Sequence, residues 1–349
     1  MRLLEPVTGA KCEGPHFSGH PHARPINLII REYLSKIIIL IYKVGDKLKI
    51  ERLDEPITID PNKIVRLTEM GNITEIMYSE TRSRGGYITK LDNDHYVDNR
   101  TGEVSEFIHI ENRSQDLANV AKSLKRLRDL LNANITDVTH CRWLTFTYAD
   151  NMTDPKKLRY DNENCIKRLR NIFGDFDYIT AAEPQGRGAW HLHSVFIFKD
   201  KAPFMPNEVV AQCWKKGFVT VKRLDDVDNV GAYLTAYLGD MELSEAVESN
   251  CPINHIKGIK EVEYTDENGI KQTKKYIKGA RLYMYPPKFN IYRKSKGIIE
   301  PTVSLVSYEK AKEKASSAKL TFSKTVALED EEKDFKNTLQ YEYYNSIRK

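Results

Sequence analysis

The sequence lacks any hydrophobic stretch long enough to cross a bilayer. Its longest aliphatic run, IIILIY at 37–42, stops at Lys43, far short of the ~20 apolar residues that a membrane helix needs. No signal-peptide pattern opens it. Cysteines are few: five, at 12, 141, 165, 213 and 251, with no CxxC pair among them. That scatter argues against both a disulfide framework and a thiolate zinc site. These absences lead us to expect a reduced, cytoplasmic protein with no membrane attachment. No GxxxxGK phosphate loop occurs, so an internal nucleotide-driven motor of that type is not expected. Repeats and low-complexity tracts are absent as well, and a chain that is 40% apolar and 30% charged has the balance of a globular protein.

At 349 residues the chain has room for two domains, or for one domain with large additions. A net charge of +5, from 54 basic and 49 acidic side chains, says little about partners. Its distribution says more. Between Ile256 and Lys296 stand eleven Lys or Arg against four Asp or Glu, interleaved with Tyr276, Tyr283, Tyr285, Phe289 and Tyr292. Positive charge attracts phosphates and aromatic rings stack on exposed bases, a mixture suited to a single-stranded nucleic acid groove. Lys274, Lys275, Lys278, Arg281 and Tyr283 are the candidates within it, joined by Arg187 from a turn upstream. A solvated, lysine-rich sheet face with tyrosines lying on it has the same composition.

Along the chain, residues 1–26 hold a Gly- and Pro-rich segment in which Cys12, His16, His20 and His22 make a weak metal signal. We expect this segment to be mobile. Residues 27–113 read as short β-branched runs divided by turn residues, hence a small β-rich region of antiparallel hairpins. The stretch 114–134 then places Leu117, Val120, Leu124, Leu127 and Leu131 at helical spacing, with Ser114 as its expected cap.

From 114 to 245 the order is strand (CRWLTFTYAD), helix (161–174, with Cys165, Leu169 and Ile172 as its stripe and Gly174 as its stop), hairpin, strand (GFVTVKRL) and helix (226–242, capped by Asp226 or Asp228 and buried along Val230, Leu234 and Leu238). That order predicts an α+β fold, an antiparallel sheet with helices packed on it, carrying N- and C-terminal additions. The remainder, 246–349, contains the basic segment, a helix near Tyr308–Lys319, a strand LTFSKTVAL, an acidic patch and a tyrosine-rich tail.

The chemistry concentrates in EPQGRGAWHLHSVFIF, residues 183–198. Side chains alternate across a strand, so His191 and His193 share a face. With GRG as the apex of a hairpin centred on Arg187, Glu183 lies opposite His191. Two imidazoles and a carboxylate with positions left open suit a divalent ion that must also bind substrate. Without the carboxylate, two such histidines are more often simply hydrogen-bonded in a sheet. Tyr233 and Tyr237, at i and i+4 on the following helix, share one side of it. Tyrosines there commonly edge a buried stripe, but a phenol is also a nucleophile toward phosphorus.

These residues resemble the HUH endonucleases, specifically the rolling-circle replication initiators of plasmids and small single-stranded DNA phages. WLTFTYAD is similar to the family's first motif, WHLHSVFIF to its metal motif with Glu183 as the upstream acidic ligand, and VGAYLTAYLGD to the third motif that carries the nucleophilic tyrosine or tyrosine pair. All three stand in the expected order between 141 and 240. One departure concerns the lysine that usually follows the first tyrosine by three residues: that position is Ala236, the equivalent after Tyr237 is Asp240, and Lys222 or Arg223 is the expected substitute.

The resemblance implies an HUH nuclease-like core and site-specific nicking and joining of DNA. His191, His193 and Glu183 would hold Mg or Mn, and Tyr233 would act first, with Tyr237 as the second nucleophile. The substrate would be single-stranded or hairpin origin DNA, with a host helicase and a host DNA polymerase as partners. A mobilisation relaxase or single-strand transposase would share the chemistry, and a sequence-specific DNA-binding protein with structural histidines would have none of it.

Overall fold

The computed structural model describes residues 48–81, 87–224, 229–235, 238–249, 251–252, 258–265, 271–330 and 335–348. Residues 1–26 with their histidines, Asp226, Asp228 and Tyr237 lie outside the described residues, and of Ala232, Tyr233 and Leu234 only the backbone is described.

The short β-branched runs form hairpins, but they do not close on themselves. β1 (Leu48–Leu53), β2 (Ile64–Met70) and β3 (Ile73–Ser79) enter a six-stranded sheet completed from the far end of the chain, while β4 (Ile88–Lys90), β5 (His95–Asp98) and β6 (Val104–Glu106) make a separate three-stranded sheet. The first helix, α1 (Leu117–Asn134), buries Val120, Leu127, Leu130 and Leu131. Ser114 is not its cap. Asn112 caps a short 3-10 turn at Arg113–Gln115, accepting from the Ser114 amide at 3.0 Å, and α1 starts two residues later.

Next come β7 (Cys141–Tyr148), α2 (Pro155–Phe173), β8 (Asp177–Pro184), β9 (Trp190–Ile197), α3 (Asn207–Trp214), β10 (Gly217–Lys222) and α4 (Val230–Thr235). β10, β7, β9 and β8 pair in that order, all antiparallel, and β14 (Tyr292–Lys294) adds an edge. This is the α+β sheet with packed helices expected from the element order. α2 begins where Asp154 caps the Lys156 amide and ends at Gly174, whose φ of 80° suits a residue without Cβ. Leu158, Cys165, Ile166 and Leu169 form its buried stripe, whereas Ile172, expected in that stripe, is exposed in the last turn. α3 was not legible in the sequence. The last helix of the series is shorter than expected, because Leu238 and Gly239 already form a turn and Met241–Glu242 is a strand, β11.

Alternation divides the sheet into two faces. Trp190, Leu192 and Phe196 of β9 pack into one core with residues of α2 and α3. Val195, on the other side, packs with Leu127, Leu130 and Leu131 of α1 and Val230 of α4. The α1–α4 crossing is close: a Cβ on Gly231 would stand 2.5 Å from the Arg128 carbonyl oxygen.

After α5 (Leu243–Glu248), β13 (Lys271–Ile277) pairs with β11 on one side and with β12 (Ile259–Thr265) on the other in another small sheet. β15 (Thr302–Ser307), α6 (Tyr308–Ala315), β16 (Lys319–Asp330) and β17 (Phe335–Asn345) then complete the six-stranded sheet, in the order β1-β16-β17-β3-β2-β15. Strands from 48–79 and from 302–345, far apart in sequence, therefore meet in one sheet. Cys141, Cys165, Cys213 and Cys251 are free and buried. Among the described residues no helix is long and apolar enough to cross a membrane.

One face of the six-stranded sheet packs on α6 through Val65, Leu67, Ile76, Ala311 and Ala315. The other faces α1, where Lys125 reaches the fully buried Glu75 at 3.1 Å. Arg66 approaches the same carboxylate at 3.3 Å, and the Tyr343 hydroxyl donates to it. Burial pushes the Glu75 pKa up, but Lys125, the Tyr343 hydroxyl and Arg66 together outweigh that and hold it below 4.5. Its contribution to stability is therefore present above pH 4.5 and lost as pH falls through the lower, folded value.

Glu75→Gln is expected to cost on the order of 2 kcal/mol, less than for a fully enclosed pair because Lys125 and Arg66 keep contact with water. Thermal unfolding across the acid range tests this: the variant should show a shallower loss of stability below pH 4.5 than the wild type. Equal slopes would mean that Glu75 does not carry the coupling.

Candidate metal and strand-transfer site

The β8–β9 hairpin sets the site. Gln185 and Ala189 close its turn, the Gln185 amide donating to the Ala189 carbonyl at 2.8 Å, and Glu183 pairs directly with His191. Period-two alternation then places Ile179, Ala181 and Glu183 on the same side as His191, His193 and Val195. Thr147 and Thr145 of β7 stand opposite His191 and His193, and Phe218 of β10 stands opposite Thr147. A cross-strand row thus runs Phe218, Thr147, His191, Glu183, with Phe218 72% exposed at its open end.

One ligand atom from each of Glu183, His191 and His193 lies within 4.8 Å of the others. His193 Nε2 faces Glu183 Oε2 at 2.9 Å, and the Trp143 ring stands edge-on to the His193 imidazole. The Thr147 hydroxyl meets His191 Nε2 at 2.6 Å and holds the ring through one nitrogen, leaving the other for a ligand. Burial, with His193 and Arg281 adding to it, pushes the His191 pKa down to about 4. At neutral pH the imidazole is uncharged and its lone pair is available, which is the state a metal ligand must have. Two nitrogens and a carboxylate oxygen, partly buried and with a neutral imidazole, fit a divalent cation.

Glu183 has a second partner that the sequence did not reveal. Arg281 Nε lies 3.1 Å from Glu183 Oε1. The same guanidinium reaches both oxygens of Glu245, at 2.9 and 2.5 Å, and donates to the carbonyls of Asp240 at 2.7 Å and Pro184 at 2.8 Å. Burial lowers its pKa, but Glu183 and Glu245 more than restore it, so it stays charged. Glu245 also accepts from the Gly186 amide at 2.6 Å. Arg281 is therefore not on an open nucleic-acid surface. It clamps the hairpin turn to the chain that follows α4.

Arg281→Met would leave Glu183 and Glu245 without their shared cation. We expect a stability loss of about 3 kcal/mol, measured by urea unfolding. A loss below ~1 kcal/mol would mean that water replaces the clamp.

The other expected residues fall in different places. Tyr233 lies on α4, and α4 packs on the face that carries the triad, since Val230 and Leu238 share a core with Ala181 and Val195. Lys274 pairs with Glu242 at 3.1 Å and Lys275 with Glu261 at 2.9 Å, while Lys278 is exposed. Arg187 donates to the carbonyls of Tyr148 at 2.6 Å and Ala149 at 3.2 Å. Tyr283 packs on the small core of Met241 and Ala246.

Tyr285 and Phe289, read from composition as base-stacking rings, are core residues: Phe289 stacks on Trp190 at 4.6 Å and the buried Tyr285 hydroxyl donates to the Ala182 carbonyl. Lys222 lies on the triad's face opposite Trp143, two strands from the hairpin. Sequence reasoning missed Thr145, Thr147 and Phe218. The signal was there, since TFT and FVT alternate with the same period as HLH, but the pairing of the three strands was needed to use it.

Residues 141–242 match the model of a family described as Replication-associated protein ORF2, a family of rolling-circle replication-associated proteins. The match spans just under a third of the chain, from β7 through β11, and contains Glu183, His191, His193, Tyr233 and Tyr237 but not Glu245 or Arg281. Neither the curated proteins nor the solved structures gave a match.

Proposed function

We propose that this chain initiates rolling-circle replication as an HUH-type strand transferase that nicks and rejoins single-stranded DNA at a specific site. The family match supports the replication role. The observation that carries the chemistry is the convergence of Glu183, His191 and His193, with ligand atoms within 4.8 Å, on the sheet face that α4 covers.

In this reading Tyr233 is the first nucleophile. Its oxygen attacks the scissile phosphorus, the P–O3′ bond breaks, the phenol gives up its proton, and the departing oxygen ends as a free 3′-OH. The 5′ end stays joined to the enzyme as a phosphotyrosine, which conserves the phosphodiester bond and removes any need for nucleotide energy. A host polymerase extends the 3′-OH behind a host helicase, and Tyr237 makes the second cut that lets the circle close. Glu183, His191 and His193 hold Mg or Mn, which when bound supplies Lewis-acid charge at the phosphate. His191 serves as a ligand without first losing a proton, and Arg281 keeps Glu183 turned toward the two imidazoles.

Adduct trapping tests the reading. A labelled pool of random-sequence single-stranded DNA is incubated with the protein and Mn, denatured in SDS, and the protein-bound strands are sequenced. A metal-dependent adduct enriched in one sequence is the expected result. No adduct at any protein concentration, with DNA binding intact, would reduce the protein to a binding module.

A further inference from the structure

The six-stranded sheet and α1 enclose a cleft of ≈ 820 Å3 that the reading above does not use. α1 contributes Lys125 and Arg128 to one wall, and β16 and β17 contribute Phe322, Lys324, Tyr341 and Tyr343 to the other. Among the described residues four cations line it, Arg348 being the fourth, and no carboxylate does. Glu75 and Asp129 lie buried beneath and engage Lys125 at 3.1 and 2.7 Å, and Asp129 also lies 3.8 Å from Arg128 Nε, which offsets part of that charge and leaves Lys324 and Arg348 as the cations that these two carboxylates do not reach. Among the described residues Lys324 has no carboxylate partner, unlike Lys312, Lys314 and Lys336. Phe322 is 45% exposed although it sits beside the Tyr343 ring, centroid to centroid 5.9 Å.

The strand register explains the pattern. Phe322 pairs with Tyr343 and Lys324 with Tyr341, so rings and cation stand on one face at two successive positions. The cleft also adjoins the site. Asn229, just before α4, and Thr235, at its end, line the cleft, while Val230 between them is buried against the sheet that carries Glu183, His191 and His193. α4, with Tyr233, thus stands between the cleft and the triad.

We propose that this cleft binds the single-stranded DNA flanking the nick, without regard to sequence. Phosphates meet Arg128, Lys324 and Arg348, and a base lies against Phe322. Exposed base faces are what an exposed ring recognises, and a duplex hides them. The basic segment 256–296 is less suited to this task, since Lys260, Lys274 and Lys275 face Asp240, Glu242 and Glu261. That the bound strand is the nicked one rests on the proposed function; that the cleft holds a single strand does not.

The test is fluorescence anisotropy with a labelled oligothymidylate of ~30 nucleotides and a duplex of equal length, in chelator so that no cleavage occurs. Lys324→Glu with Phe322→Ala should weaken oligothymidylate binding about tenfold or more and reduce the salt slope. Lys274→Glu with Lys275→Glu should have the smaller effect. If the double variant melts early, Lys324→Gln alone should still reduce the slope by about 0.7, the single-strand value for one phosphate contact.

Wild-type affinity unchanged in the cleft variants, a larger loss in the Lys274 and Lys275 variant, or preference for the duplex would each overturn the assignment. Because binding is read without metal, the absence of a covalent adduct would sink the nicking reading and leave this result standing. The converse also holds.

Discussion

Replacing Tyr233 and Tyr237 together by phenylalanine is expected to abolish the SDS-resistant adduct and to leave affinity for single-stranded DNA within about twofold. Phenylalanine removes only the hydroxyl, so α4 keeps the Val230 contact that seats it on the triad's face. Loss of the adduct with binding preserved therefore isolates the nucleophile. The single variants order the two steps. If Tyr233 attacks first, Tyr233→Phe alone stops adduct formation on a single-site oligonucleotide, and Tyr237→Phe alone permits the adduct but blocks the second cut. An adduct that persists in the double variant places the nucleophile elsewhere.

His193→Ala carries the second largest expected effect. The imidazole is hemmed in by Glu183 Oε2 at 2.9 Å, the edge of Trp143 and the Thr145 hydroxyl, and its side chain is 19% exposed. Its removal takes away one of the three proposed ligands and leaves Glu183 with Arg281. Mutating the groups that merely orient metal ligands commonly costs ~10–100-fold, so losing a ligand should exceed that range. The measurement is nicking rate against added Mn, after chelator treatment of both proteins. Thr147→Ala, which frees the His191 ring without removing a ligand, should fall within the lower range. Unchanged nicking in His193→Ala would take that residue out of the site.

The triad was legible because every step to it is local. A strand alternates, a turn of known length closes a hairpin, and together they put Glu183 opposite His191 without reference to the rest of the chain. The same reasoning overreached in the basic segment. Composition cannot tell a tyrosine that offers its face to a base from one that fills a core. Tyr285 and Phe289 proved to be the latter because β14 draws that segment against β8 and the rings against Trp190.

By itself the sequence determined the class of sheet, its hairpin register, the alternation that gathers two histidines and a carboxylate, and the helix that bears Tyr233. Tertiary structure alone decided that Arg281, almost a hundred residues downstream of Glu183, closes the far side of the triad, and that strands from both ends of the chain share one sheet. It alone made the basic cleft against α1. The reason is physical: period and turn chemistry act over a few residues, whereas these features depend on which distant apolar faces find each other, and no local interaction in the chain encodes that choice.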